Sequence, residues 1–413
     1  MFESPAFAAL RHREYRSLLA ASFLFVIALQ VQEVALAYEL YTLTHRPVVL
    51  GLIGLAEALP FIALALFGGH IADRGDRRVI ALASVSFVVL GSGLLLWATL
   101  PAQRAWLGQD GLLYVSYGVI AALGLARGFF SPAVTSMRPM LVPRELYPNA
   151  AAWSSANWQA AAILGPVTAG FLYAATGLTG TLIVVVVALL GAMLLFSTIR
   201  RLPPRARGGN DGTLWDSLRE GIEYVWRTRI ILYSISLDMF SVLFGGVVAI
   251  LPVYAADVLK VGPQGLGVLR AASSFGAMLT VLVCTRHPPT HHAWRNLLIA
   301  VTGFGVGTLV FGVSNVFWLS VVALFAIGAF DSISVVVRNT IMQSMVPDHL
   351  RGRVLSVNSI FVTTSNELGA FESGTAAQLL GTVPSVVAGG VLTLLTVFYV
   401  WRRSRDLFDV RVT

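Results

Sequence analysis

The chain is 413 residues long, 56% hydrophobic and only 12% charged, with a mean hydropathy of +0.76. Soluble globular domains carry about 25% charged residues, so this composition excludes a water-soluble enzyme or binding module and implies an integral membrane protein. The net charge of +8 is almost wholly arginine, and the single cysteine, Cys284, excludes a disulfide framework or a thiolate metal site.

The basic start, MFESPAFAALRHREYRSLL, lacks a short apolar core with a small-residue cleavage site, so the first apolar run is expected to stay in the membrane. About 20 apolar residues cross roughly 30 Å of hydrocarbon as a helix. A window of that length predicts an all-α membrane protein with twelve transmembrane helices. They are expected near 17–41, 48–70, 79–100, 111–136, 150–173, 178–199, 230–256, 264–285, 297–314, 317–344, 353–378 and 382–401.

Between the sixth and seventh spans lies the one long polar stretch, RRLPPRARGGNDGTLWDSLREGIEYVWRTR. It opens rich in Pro and Gly and ends amphipathic, with Trp and Arg. The expected organisation is therefore an N-terminal six-helix bundle over 1–200, a cytoplasmic linker over 201–229 and a C-terminal six-helix bundle over 230–413. Of the 29 basic residues, 23 fall on the N-terminal side of the membrane, three on the other side and three inside spans. That bias puts both termini and the linker in the cytoplasm. It also accounts for the basic charge without nucleic acid.

The halves are related. A shift of 204 residues superposes LGLARGFFSPAVTSMRPMLVPRELYPNAAAW on IGAFDSISVVVRNTIMQSMVPDHLRGRVLSV, so Gly124, Pro143, Gly165 and Gly170 fall on Gly328, Pro347, Gly369 and Gly374. Two parallel halves suit a transporter that rocks about a central site. A channel needs no such repeat.

Two local stretches stand out. GGHIADRGDRR, between spans two and three, packs charges between apolar runs; its arginines hold a loop in the cytoplasm, and a carboxylate such as Asp73 is stabilised at a helix N-terminus by about 0.3–1 kcal/mol. In span five, ILGPVTAG places Pro166 between Gly165 and Gly170, where the proline bends the helix and the glycines admit close neighbours.

Ionisable groups inside spans are costly and read as functional. They are Glu33, Glu57, Arg127, Asp238, Arg270, Asp331, Arg338, Glu367 and Glu372. Arg127 and Asp331 share one repeat position, and alternate pairing at such a site would switch proton affinity. Glu39, Arg138, Asp257 and Lys260 lie near span ends and are expected to reach water. Proton-coupling or substrate-cavity roles fall to Glu33, Glu57, Arg127, Asp238, Asp331, Arg338, Gln30, Asn157, Trp158 and Glu367. Trp153, Phe129, Phe130, Tyr233, Phe240, Phe244 and Phe361 are candidate aromatic lining. No Gly-rich phosphate loop with a lysine is present, and HPPTHH lacks acidic or cysteine ligands, so no cofactor, metal site or enzymatic centre is expected.

These features together resemble the major facilitator superfamily, in the branch that includes the enterobactin exporter and macrolide-efflux-like proteins. The family signature between spans two and three matches Gly69, Asp73, Arg74, Arg77 and Arg78, with Asp76 where a glycine is usual. LTHRPVVLGL, SPAVTSMRPMLVPRELYPNA and MQSMVPDHLRGRVLS carry the likeness to the branch. The resemblance implies a cytoplasmic gate at the first motif, closing on the start of span eleven near Arg351 to Arg353. It implies proton antiport at Gly165, Pro166 and Gly170, with Ala169 where a second glycine is usual. The expectation is a monomeric, proton-coupled exporter of a siderophore or hydrophobic drugs in the inner membrane, with the lipid bilayer, protons and a small molecule as partners. A lipid or lysophospholipid mover and a non-transporting receptor or sensor are the alternatives.

Overall fold

The computed structural model describes residues 5–74, 76–200, 214–289 and 291–408, with side chains described at all of these except 5, 64–74 and 214–218. Among them the regular structure is helical: α1 (Arg13–Thr44), α2 (Pro47–Arg74), α3 (Arg77–Thr99), α4 (Pro101–Met137), α5 (Tyr147–Ser197), α6 (Leu214–Arg227), α7 (Arg229–Gly245), α8 (Gly262–Arg286), α9 (Ala293–Val313), α10 (Phe317–Met345), α11 (Asp348–Leu380) and α12 (Thr382–Arg403).

Among the described residues nine helical stretches are long and apolar enough to cross a membrane. One, Arg144–Ser197, has 54 residues, about 80 Å of helix against a hydrocarbon layer of about 30 Å. Gly177 breaks it at φ 66° and ψ −171°, a left-handed conformation that only glycine adopts without strain. α5 therefore holds the fifth and sixth crossings, with the break inside the gap expected from sequence. α2 and α11 complete the twelve. α11 is the polar exception, carrying Glu367 and Glu372 along its length.

The seventh span departs from its expected course. α7 stops at Gly245, and a 3₁₀ turn at Val248–Ile250 and a π turn at Tyr254–Val258 follow. Gly246, the C-cap, and Pro252, near the start of the next turn, explain the interruption. Backbone groups freed inside apolar surroundings need new partners. Thr308 donates to the Gly245 carbonyl at 3.3 Å and Ser373 to that of Gly246 at 2.9 Å.

The chain divides into two compact units. Unit 1 takes the described residues of Met1–His45, Leu55–Arg207 and Gly262–Ala271; unit 2 takes those of Arg46–Gly54, Gly208–Val261 and Ala272–Thr413. The start of α2 thus belongs with the C-terminal helices, and the start of α8 with the N-terminal ones.

Glycines explain how these segments fit, and they repeat in register. A Cβ on Gly170 of α5 would strike the backbone of Pro263 in α8, and one on Gly374 of α11 would meet Gly51 at 2.8 Å in α2. Gly165 faces Gln30 of α1 at 2.5 Å, while its counterpart Gly369 faces Val242 of α7 at 2.8 Å. Gly124 of α4 abuts the backbone of Glu57 in α2, and Gly328 of α10 abuts that of Ser273 in α8. Three of the four sequence coincidences are thus the same helix contact made once in each unit.

In unit 2 a hydrophobic core gathers Ile231, Ile235, Trp294, Leu297, Ile341, Met342 and Val354 from α7, α9, α10 and α11. α6 lies against this group: Gly221 sits 3.0 Å from the Arg353 carbonyl for a built Cβ, and the Tyr224 hydroxyl donates to the Met345 carbonyl at 3.2 Å.

Candidate functional site

Unit 1 encloses a cavity of about 200 Å³ lined by α1, α2, α4 and α5. Helical periodicity selects its walls. From α1, Ser22, Val26, Leu29 and Glu33 recur at spacings of four, three and four; from α4, Arg127, Ser131, Val134 and Arg138 do the same. α5 adds Ser154, Asn157 and Trp158, and α2 adds Phe61. The floor is a fixed aromatic stack: Phe25 lies 3.9 Å from Phe130, whose other side meets Phe196 edge-on at 5.7 Å.

Two of the three charged residues that line this cavity, Glu33 and Arg127, are paired. Arg270, brought in by the α8 segment of unit 1, bonds the Glu33 carboxylate at 2.8 Å. Arg127 bonds Glu57 on α2. The repeat suggests comparing Arg127 with Asp331, yet each finds a charge partner within its own unit.

Unit 2 holds the other cluster. Arg338 of α10 is fully buried and pairs with Asp238 of α7. Asp331, seven residues before Arg338 and on the same helix face, lies within electrostatic reach of both. One carboxylate therefore contacts the guanidinium and a second lies near it. The Nε of Arg338 and the hydroxyl of the buried Ser334 have no hydrogen-bond partner among the described groups.

Of the ten residues expected to couple protons or line the cavity, Gln30, Glu33, Arg127, Asn157 and Trp158 line it. Glu57 reaches it through Arg127. Asp238 and Arg338, both buried, and the half-buried Asp331 form a separate cluster in unit 2. Glu367 sits on α11 where Gly54 of α2 faces it, 3.2 Å from a Cβ built there.

The aromatic candidates divide similarly. Phe130 joins the cavity, whereas Trp153 donates its indole N–H to the Ala6 carbonyl at 2.9 Å. Tyr233 packs on Trp294 and under Arg229. Phe240 and Phe244 stack on each other at 6.0 Å, and Phe361 joins the unit 2 core.

Gly69, Asp73 and Arg74 of the expected gate lie outside the described side chains. Arg77 is buried and donates to the Met140 sulfur at 3.0 Å; Arg78 donates to the Ser197 carbonyl at 2.5 Å. Asp76, which departs from the signature glycine, caps α3 by accepting the backbone N–H groups of Arg78 at 3.0 Å and Val79 at 3.4 Å. At the start of α11, Arg351 pairs with Asp348 at 2.5 Å and Arg353 with Glu220 of α6. In the span-five motif, Gly165 and Gly170 make the close approaches described above, and the Pro166 carbonyl faces Gly267 of α8.

Two residues were misjudged from sequence. Glu39 is buried, with Arg104 at 2.7 Å and the Tyr173 hydroxyl as partners, rather than reaching water. Arg138 lines the cavity. Its signal was present: counting four, three and four from Arg127 along α4 arrives at it.

The whole chain has relatives. Residues 4–408 match the family described as transmembrane secretion effector. The enterobactin exporter EntS of Shigella boydii serotype 4 (strain Sb227) is 24% identical over 407 residues, covering 96% of this chain and 94% of that protein. EntS of Escherichia coli O1:K1 / APEC matches to the same extent. Among solved structures, a bacterial homologue of the human lysosomal transporter Spinster aligns with a TM-score of 0.72 and 19% identity over 97% of this chain and 99% of that one. A bacterial homologue of the iron transporter ferroportin aligns with a TM-score of 0.69 and 16% identity, over 94% and 98%. With a family match over nearly every residue, relatives along its length and the twelve-helix fold these transporters share, the chain belongs to the transmembrane secretion effector family of the major facilitator superfamily: it is a multi-pass inner-membrane secondary transporter of a small molecule, not an enzyme.

Proposed function

We propose that the protein exports a small amphiphilic molecule, a siderophore or a hydrophobic drug, across the cytoplasmic membrane by proton antiport. The observation that carries this reading is the presence of an aromatic, charge-lined cavity in unit 1 and, in unit 2, a cluster in which Asp238 pairs with Arg338 and Asp331 lies within electrostatic reach of both. A cluster with one surplus negative charge is balanced by a single proton, which gives a coupling ion a place to enter and leave. Asp331 is the proton carrier in this scheme. Glu33, held by Arg270, orients the cavity wall. The bundles over 1–200 and 230–413, tied by the linker, are the two bodies that alternate, with both termini cytoplasmic. Gly69, Asp73 and Arg74 with Arg77 and Arg78 form the gate, and Gly165, Pro166 and Gly170 set the bend that distinguishes export from uptake. The enterobactin exporters supply the siderophore end of the substrate range by relationship.

Reconstitution tests it. In proteoliposomes an imposed pH gradient is expected to drive enterobactin or an amphiphilic drug uphill, and an uncoupler to stop it without added nucleotide. Movement that ignores the gradient would refute antiport.

A further inference from the structure

Three charged residues line the cavity in unit 1, and two of them are spoken for: Glu33 is matched by Arg270 and Arg127 by Glu57. The third is Arg138. Among the described residues no carboxylate pairs with it, and its electrostatic neighbour is the Tyr15 hydroxyl. That hydroxyl is neutral and already engaged. It donates to the Ala150 carbonyl at 2.5 Å and lies 3.1 Å from the Ser154 oxygen. Among the described residues the cavity therefore carries one net positive charge, at the Arg138 end.

Position adds direction to this charge. Arg127 and Arg138 lie on one face of α4, eleven residues and so roughly 16 Å apart along its axis. Between them the wall is Ser131, Phe130 and Val134, faced by Phe25 of α1 and Trp158 of α5. A ligand filling this space meets neutral ion pairs at one end, aromatic surface along its body and an unmatched guanidinium at the other. A planar guanidinium donates paired N–H groups that fit a carboxylate or similar anion. A cation would meet an uncompensated positive charge in surroundings that screen poorly.

We propose that Arg138 makes this cavity selective for aromatic amphiphiles bearing one negative charge, a carboxylate or an acidic phenol, with the anionic group held by Arg138. The proposal rests on the cavity being the transported molecule's site, and it adds the sign and placement of the substrate's charge.

Equilibrium dialysis on the purified full-length protein tests it with three probes of one aromatic body: 2-naphthoate, 2-naphthamide and 2-naphthylmethylammonium. The expected order is naphthoate first, by about tenfold over the ammonium probe. Arg138→Gln should bring naphthoate down to the naphthamide level while leaving naphthamide unchanged, and Arg138→Lys should keep the order. Trp158→Ala should weaken all three together. An ammonium probe bound as well as naphthoate by the unaltered protein overturns the proposal without any variant. So does a preference that survives Arg138→Gln, or naphthoate binding indifferent to Trp158→Ala. The readout involves no transport, so the two readings fail separately. Naphthoate held through Arg138 by a protein that pumps nothing defeats only the exporter reading, and pH-driven pumping with the wrong probe order defeats only this one.

Discussion

The charged groups of the two units are built on opposite plans. At the unit 1 cavity the two carboxylates are matched one to one and stay partly open, with Glu57 18% and Arg127 44% exposed at their side chains. In unit 2 Asp238 and Arg338 are 7% and 3% exposed, and Asp331 makes the negative charges outnumber the positive. Open, balanced pairs can be touched by a ligand without leaving a bare charge behind. A closed, unbalanced cluster admits little larger than a proton. In the proposed scheme this contrast gives recognition to unit 1 and energy coupling to unit 2.

The strongest way to break that assignment is Asp331→Asn. It should abolish uphill accumulation in proteoliposomes while downhill exchange of the same substrate continues, whereas Glu33→Gln should alter substrate binding first. Coupling that survives Asp331→Asn would remove the proton from unit 2.

Stability offers the next test. Asp238→Asn removes the carboxylate that contacts the buried Arg338, leaving only the more distant Asp331, and should destabilise the protein by up to about 3–5 kcal/mol. Replacing both, Asp238→Asn with Arg338→Met, should recover most of that loss in detergent melting curves.

The repeated glycines allow a sharper comparison. Gly124→Ala and Gly328→Ala each drive a methyl group into the backbone of the neighbouring helix, and each should cost about 1–3 kcal/mol. Near-equal effects on melting would support a shared architecture in the two units, and a large inequality would argue that one contact is slack.

Glu57→Gln should show the smallest effect, about 1 kcal/mol or less, because its pair with Arg127 is partly solvated. Charge exchange, Glu57→Arg with Arg127→Glu, should restore part of any lost binding, as measured by probe affinity.

Much of the scaffold was legible in the sequence. Apolar length located the spans, and the glycine register announced contacts that recur in both units. Gly177 fell where a turn was needed. What periodicity could not supply was partnership. It tells which face of a helix is polar but not which helix meets that face, so Arg127 suggested Asp331 by symmetry while Glu57 was its neighbour. Arg138 was judged by its distance from a span end, although its place on the Arg127 stripe decided its surroundings. The interruption after Gly245 was hidden because an apolar run reads alike whether its backbone is continuous or broken. Side-chain hydroxyls from distant positions, Thr308 and Ser373, make the break tolerable.

The exchanged segment Gly262–Ala271 sets a timetable for biosynthesis. Glu33 lies on α1, and Arg270, which neutralises it, lies 237 residues later in the chain. At synthesis rates of roughly 5–20 residues per second, the carboxylate waits on the order of 12–50 s for its partner. During that interval unit 1 also lacks the backbone that Gly170 was shaped to meet. The first half of this protein is therefore unfinished when its own synthesis ends, and it is completed by a piece of the second.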